Sequence, residues 1–73
     1  MAELVLRVRL VSGDRLDVIW SDPDSTEAAA VEHVITVLAD PAGTLRSRHG
    51  DRLVVLYGRG VAAVEVAPRG AVL

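Results

Sequence analysis

The chain has 73 residues, a formal net charge of −2 and no cysteine. The absence of cysteine excludes disulfides, thiolate metal sites and cysteine nucleophiles, and the net charge argues against a surface devoted to nucleic acid. Hydrophobic residues make up 51% and aromatic residues 3%, so a single domain over residues 1–73 must build its core from Val, Leu, Ile and Ala.

The first two predicted strands form a hairpin. Apolar and charged residues alternate over residues 3–11 (ELVLRVRLV) and again over residues 15–20 (RLDVIW). Both apolar faces lie on the same side of the pair only if the loop has an odd number of residues. A three-residue loop over 12–14 (Ser-Gly-Asp) satisfies this condition and would pair Leu10 with Leu16.

A helix is predicted to follow the acidic segment SDPDSTE and to end at about Leu38 or Ala39. Its N-cap is either Asp22, which precedes a proline, or Asp24, which has Glu27 three residues later. The sequence Asp-Pro-Ala-Gly then stops the helix. The predicted apolar stripe consists of Val31, Val34, Ile35 and Leu38, extended by Ala28. Ala30 and Val37 widen the apolar arc beyond this stripe.

Three more strands are predicted, over residues 44–48, 52–57 and 61–66. The Gly-Arg-Gly between the last two resembles a three-residue hairpin loop, which would pair Tyr57 with Val61.

The predicted fold class is α+β, with two layers formed by one helix and a mostly antiparallel five-stranded sheet in the chain order ββαβββ. The alternative is a small half-open β-barrel with one helix, in which the helix plugs one end. Residues 66–73 are expected to form a flexible tail.

Both faces of the last predicted hairpin are apolar, and a single helix can cover only one face of the sheet. The pattern therefore predicts a small interaction or regulatory module that acts as a homo-oligomer, with a dimer favoured and a protein partner as a further option. The predicted interface consists of Val5, Val11, Leu53, Val55, Tyr57, Val61 and Ala63.

The alternative function is binding of nucleic acid or a phosphate ligand through an arginine patch. All eight basic residues are arginines, a composition that also indicates a GC-rich, bacterial coding bias. The patch would consist of Arg7, Arg9, Arg46 and Arg48. Asp17 and Glu65 are expected to neutralise part of it by cross-strand pairing.

No catalytic site, metal site or cofactor is predicted. Ser47, His49 and Asp51 alternate along a strand and are too far apart for a triad, and the spacing of His33 and His49 matches no zinc motif. No segment has the pattern of a signal peptide or a membrane span, so we expect a cytoplasmic, non-enzymatic protein with no membrane contact.

Overall fold

The computed structural model describes residues 2–68, which form five strands and one α-helix. The strands pair antiparallel in the order β4-β3-β2-β1-β5, and α1 packs on one face. The predicted α+β architecture is therefore confirmed. The elements are β1 (Ala2–Leu10), β2 (Arg15–Asp22), α1 (Glu27–Ala39), β3 (Thr44–His49), β4 (Arg52–Tyr57), the one-turn 3₁₀ helix η1 (Gly58–Gly60) and β5 (Val61–Pro68).

The β1–β2 hairpin has the predicted faces but a register that differs by two residues. Leu6 pairs with Val18, and Leu10 donates its N–H to the carbonyl of Asp14 at 2.8 Å, so the loop is Val11-Ser12-Gly13. Gly13 has φ +95°. Three-residue hairpin loops place their left-handed residue third, and only glycine takes that conformation without strain. The loop is therefore centred one residue earlier than predicted, with Gly13 in third position.

The helix begins later than predicted because Thr26, and not an aspartate, is the N-cap. Its Oγ1 accepts the N–H of Ala29 at 3.2 Å. Asp22 instead organises the preceding turn, where it accepts the Ser25 hydroxyl at 2.5 Å and the N–H of Asp24 at 3.0 Å. These hydrogen bonds, that from Ser25 first, hold the pKa of Asp22 below its ordinary value. The predicted helix end is confirmed at Ala39.

The predicted apolar stripe of α1 is largely confirmed. Val34 is buried and Val31 and Leu38 pack against the core, as predicted, whereas Ile35 is 53% exposed and Ala28 is also exposed. Ala30, which is fully buried, and Val37 complete the face that meets the sheet, so this face is rotated away from Ile35. Under the helix lies a core built mainly from Ala2, Leu4, Leu6, Val8, Val18, Leu45 and Leu56.

The predicted hairpin between β4 and β5 is wrong. The two strands lie at opposite edges of the sheet, and β5 pairs with β1. Four strand spacings amount to about 19 Å, while the four residue steps from Tyr57 to Val61 reach at most about 14 Å. The sheet must therefore curl towards the helix. Residues 2–68 show no pairing between β4 and β5, so the barrel remains open.

Candidate functional site

The sheet face opposite α1, the outer face, is not covered by any element among residues 2–68. In its centre, Val5 pairs with Ile19, and both side chains are half-buried between their neighbours. Arg48 follows on β3 and separates Ile19 from Leu53 on β4. The outer face is therefore apolar in its middle and along one edge, with a charged residue between the two.

The most exposed apolar residues of this face lie together on β4. Leu53, Val55 and Tyr57 are 58%, 38% and 50% exposed, while Leu56 between them is buried on the helix side. We call these three exposed residues the β4 ridge. Their position agrees with the predicted alternation along the strand, and their exposure leaves apolar area that the folded monomer does not use.

The two edge strands differ in how they are protected against pairing with another chain. β5 carries Glu65 in its middle, ends at Pro68, and has an irregular register with β1 near Leu10. Charges, prolines and bulges are features that prevent edge-to-edge association. β4, with the sequence RLVVLY, has a charge only at its first residue and pairs with β3 in regular register. Of the two edges, β4 is the unprotected one.

The structure divides the predicted interface rather than bringing all seven residues together. Val5 and Ala63 lie on the outer face as predicted, but Ala63 is on β5, at the edge opposite the β4 ridge. Val11 is in the hairpin loop and is 69% exposed.

Val61 does not lie on the outer face, where alternation along the strand predicts it. The register shift between Arg9 and Leu10 puts it opposite Leu10, where it packs against the core. Simple alternation along β5 cannot anticipate this, because a bulge changes which residues share a face.

An apolar groove of about 390 Å³ runs beside β4 at the open side of the curled sheet. Val54, Leu56 and Tyr57 line one wall, and Leu10, Val11 and Leu16 line the other. Gly60 closes its end, where the Gly60 carbonyl accepts the N–H of Val11 at 3.0 Å. The groove follows the free edge of β4, so a strand that paired with this edge would also meet an apolar surface.

The predicted arginine patch is partly neutralised, as expected. Arg7 Nε lies 3.4 Å from Asp17 Oδ1, and Arg7 Nη1 lies 3.9 Å from Glu65 Oε2. All three side chains are largely exposed, so each contact contributes little stability, about 0–1 kcal/mol. Its effect is to remove Arg7 from the charge available to a ligand.

The other arginines of the outer face form two separate pairs. Arg9 lies directly opposite Arg15, a residue outside the predicted patch. Arg46 and Arg48 alternate on β3, beside Val55 and Leu53 of the β4 ridge. Within residues 2–68, none of these four arginines has an ion pair. The pairing register of the hairpin, once known, is what identifies Arg15.

The histidines and Ser47 take up structural contacts. Ser47 is buried and donates its hydroxyl to the carbonyl of Val54 at 2.9 Å. His49 Nδ1 lies 2.6 Å from the carbonyl oxygen of Asp17, and the His33 ring stacks on Trp20 with centroids 5.4 Å apart. In the described part of the chain, no three His, Asp or Glu side chains lie close enough together to hold a metal ion.

Arg59, in η1, lies next to the β4 ridge. Its guanidinium lies over the Tyr57 ring, with Cζ 5.3 Å from the ring centroid, so a positive charge stands at the end of the β4 ridge. Between residues 2 and 68, no helix is long and apolar enough to cross a membrane. No protein-family model, curated protein or solved structure matches the chain.

Proposed function

We propose that the protein is a small non-catalytic interaction module that self-associates through β4. The observation that carries this proposal is the β4 ridge, where Leu53, Val55 and Tyr57 are exposed side by side on the unprotected edge strand. A domain of this size needs most of its apolar residues to build its core. Three exposed apolar residues on one short strand are therefore most simply explained as a contact surface.

Association of two copies would combine apolar burial with backbone pairing. Full burial of a side chain such as Val or Leu is worth roughly 1.5–3 kcal/mol. The three ridge residues are about half exposed in the single chain, so a second copy could still bury about half of their surface. Arg46 and Arg48 flank Val55 and Leu53 and would form the polar rim of the contact. One six-residue strand is a small contact, so we expect a dimer that dissociates on dilution.

Val55→Asp is expected to convert the dimer to a folded monomer. Val55 is the central residue of the ridge, and a second copy would bring two carboxylates close together there, which opposes association. Light scattering coupled to gel filtration at tens of micromolar checks the mass, and far-UV circular dichroism checks the fold.

The matched control is Ala63→Asp, which introduces the same charge on the opposite edge of the outer face. We expect this variant to keep the mass of the unmodified protein, because Ala63 lies far from β4 and opposite Arg9. A monomeric unmodified protein at these concentrations would refute self-association, and dissociation by Ala63→Asp would move the contact to β5.

A second candidate function is the binding of nucleic acid or a phosphate ligand. Arg9 and Arg15 stand opposite each other, and among residues 2–68 no acidic side chain pairs with either, so an anion would relieve this like-charged pair. Together with Arg46 and Arg48 they offer four charges on one face that no acidic side chain of the described residues compensates.

Under this second function, labelled single-stranded RNA is expected to bind at low salt with a slope of log K against log salt near −3, for about four phosphate contacts. Fluorescence anisotropy measures the binding. Double substitution of Arg46 and Arg48 by Glu should abolish it, whereas Arg52→Glu, on the helix side of β4, should not. A flat anisotropy for both RNA and DNA at low salt contradicts this function.

A further inference from the structure

We propose that two copies join β4 to β4 in antiparallel orientation, with Val55 on the two-fold axis, and form one continuous ten-stranded sheet. This inference rests on the proposed self-association and adds its geometry. A second copy of this chain fits this edge, because the apolar residues of β4 and the opposite charges that flank its two ends are complementary to themselves in one register.

The pleat of the strands limits the possible registers, because opposed residues of an antiparallel pair point to the same side of the sheet. If two copies of β4 are to keep their outer faces on the same side, the residue numbers of each opposed pair must add up to an even number. The possible centres of symmetry along the middle of β4 are therefore Leu53, Val54, Val55 and Leu56.

Only the register centred on Val55 opposes apolar residues with apolar residues along most of β4. Val55 meets Val55 and Leu53 meets Tyr57 of the second copy, while Asp51, in the turn before β4, and Arg59, in η1 after it, come to the same end of the contact. Two-fold symmetry repeats the last two arrangements, so each dimer has two aliphatic–aromatic pairs and, at each end, one Asp51 near an Arg59 of opposite charge. Cross-strand pairs of both kinds stabilise antiparallel sheets.

The neighbouring registers are worse. Centring on Val54 places Arg52 opposite Leu56, so a charge faces an apolar side chain. Centring on Leu53 places Arg52 opposite Val54, and centring on Leu56 leaves only three residues of β4 paired. Unlike these, the Val55 register pairs five residues of β4 and places no charge of the strand opposite an apolar side chain.

The groove beside β4 accommodates the inner side of the same arrangement. In the Val55 register, Val54 of the second copy lies opposite Leu56, on the side where Leu10 and Leu16 line the groove. Val54 is half-buried in the single chain, so it has surface left to contribute to the contact.

Engineered cysteines test the register directly, because the chain has none of its own. Opposed residues of an antiparallel pair have Cα atoms about 4.5–5.5 Å apart, within the range of about 4.4–6.8 Å that a disulfide spans. Val55→Cys alone is expected to cross-link under mild oxidation. Leu53→Cys and Tyr57→Cys are each expected to resist self-cross-linking, but a mixture of the two should form the mixed dimer. Mass spectrometry distinguishes the mixed product.

We expect Val55→Cys to cross-link at least about tenfold faster than either of the other variants alone, because paired thiols have an effective concentration near millimolar. Rapid self-cross-linking of Leu53→Cys, or none by Val55→Cys in a protein that is dimeric by light scattering, would overturn the register and leave self-association standing. A monomeric unmodified protein would overturn both.

A pair of charge reversals gives a second readout that does not depend on cysteine chemistry. Asp51→Arg and Arg59→Asp each create like-charged contacts in their own homodimers, so each should raise the dissociation constant by about tenfold. An equimolar mixture restores both ion pairs in the heterodimer and should recover the dimer mass. Failure of the mixture to recover it contradicts the approach of Asp51 to Arg59 of the second copy.

Discussion

Gly58→Ala is expected to unfold the domain or remove most of its stability, whereas Gly60→Ala, two residues later, should leave it intact. A Cβ at Gly58 would lie 2.1 Å from the carbonyl oxygen of Asp40 and 2.9 Å from that of Leu38. Both are backbone atoms at the end of α1, so they cannot move aside as a flexible side chain would. At Gly60, a Cβ would meet no atom within 4 Å.

The size of the effect follows from how little stability a chain of this length has. At about 0.05–0.15 kcal/mol per residue, the free energy of unfolding is roughly 4–11 kcal/mol. A backbone overlap of this severity should cost more than about 3 kcal/mol, which lowers the melting temperature by more than about 12 °C. Gly60→Ala should change it by no more than a few degrees.

Thermal unfolding followed by circular dichroism compares the two variants with the unmodified protein. A Gly58→Ala variant that melts within about 4 °C of Gly60→Ala would contradict the close packing of η1 against the end of α1. The Gly58 N–H also donates a hydrogen bond to the Gly43 carbonyl at 2.9 Å. The contact therefore joins the loop after α1 to η1, which connects β4 to β5.

The course of the chain from β4 to β5 could not be predicted from the residues that connect them. Gly-Arg-Gly between two apolar runs has the local properties of a hairpin loop, and nothing in those three residues excludes that structure. The choice is made elsewhere. β1 alternates over its whole length and buries Leu4, Leu6 and Val8 completely, so it is a central strand that needs a neighbour on each side. β2 is one neighbour, and β5 is the other.

The candidate site could be predicted in part, because some of its properties depend on local sequence and others on long-range pairing. Alternation along β4 places Leu53, Val55 and Tyr57 on one face whichever strand lies beside β4, so the ridge could be predicted from local pattern alone. That β4 is an edge strand depends on long-range pairing, and the face of Val61 depends on a bulge in a partner strand. Neither property is encoded in the residues that display it.

The contrast between the two sides of the sheet can be measured with a matched pair of leucines. Leu6 lies on β1, paired with Val18 and Val66, and its side chain is 0% exposed, while Leu53 on the β4 ridge is 58% exposed. Truncating a buried leucine removes apolar contacts and leaves a cavity, whereas truncating an exposed one removes contacts only where a second copy supplies them.

Leu6→Ala is therefore expected to lower the free energy of unfolding by about 2–5 kcal/mol, a large share of the total, at every protein concentration. Leu53→Ala should cost less than about 0.5 kcal/mol in dilute solution, where the protein is monomeric. At high concentration its cost should grow, because association stabilises the folded state by mass action and the variant weakens association. Urea unfolding at two protein concentrations measures both effects. Equal losses for the two leucines in dilute solution would mean that Leu53 is as buried as Leu6, and the β4 ridge would then offer nothing to a second copy.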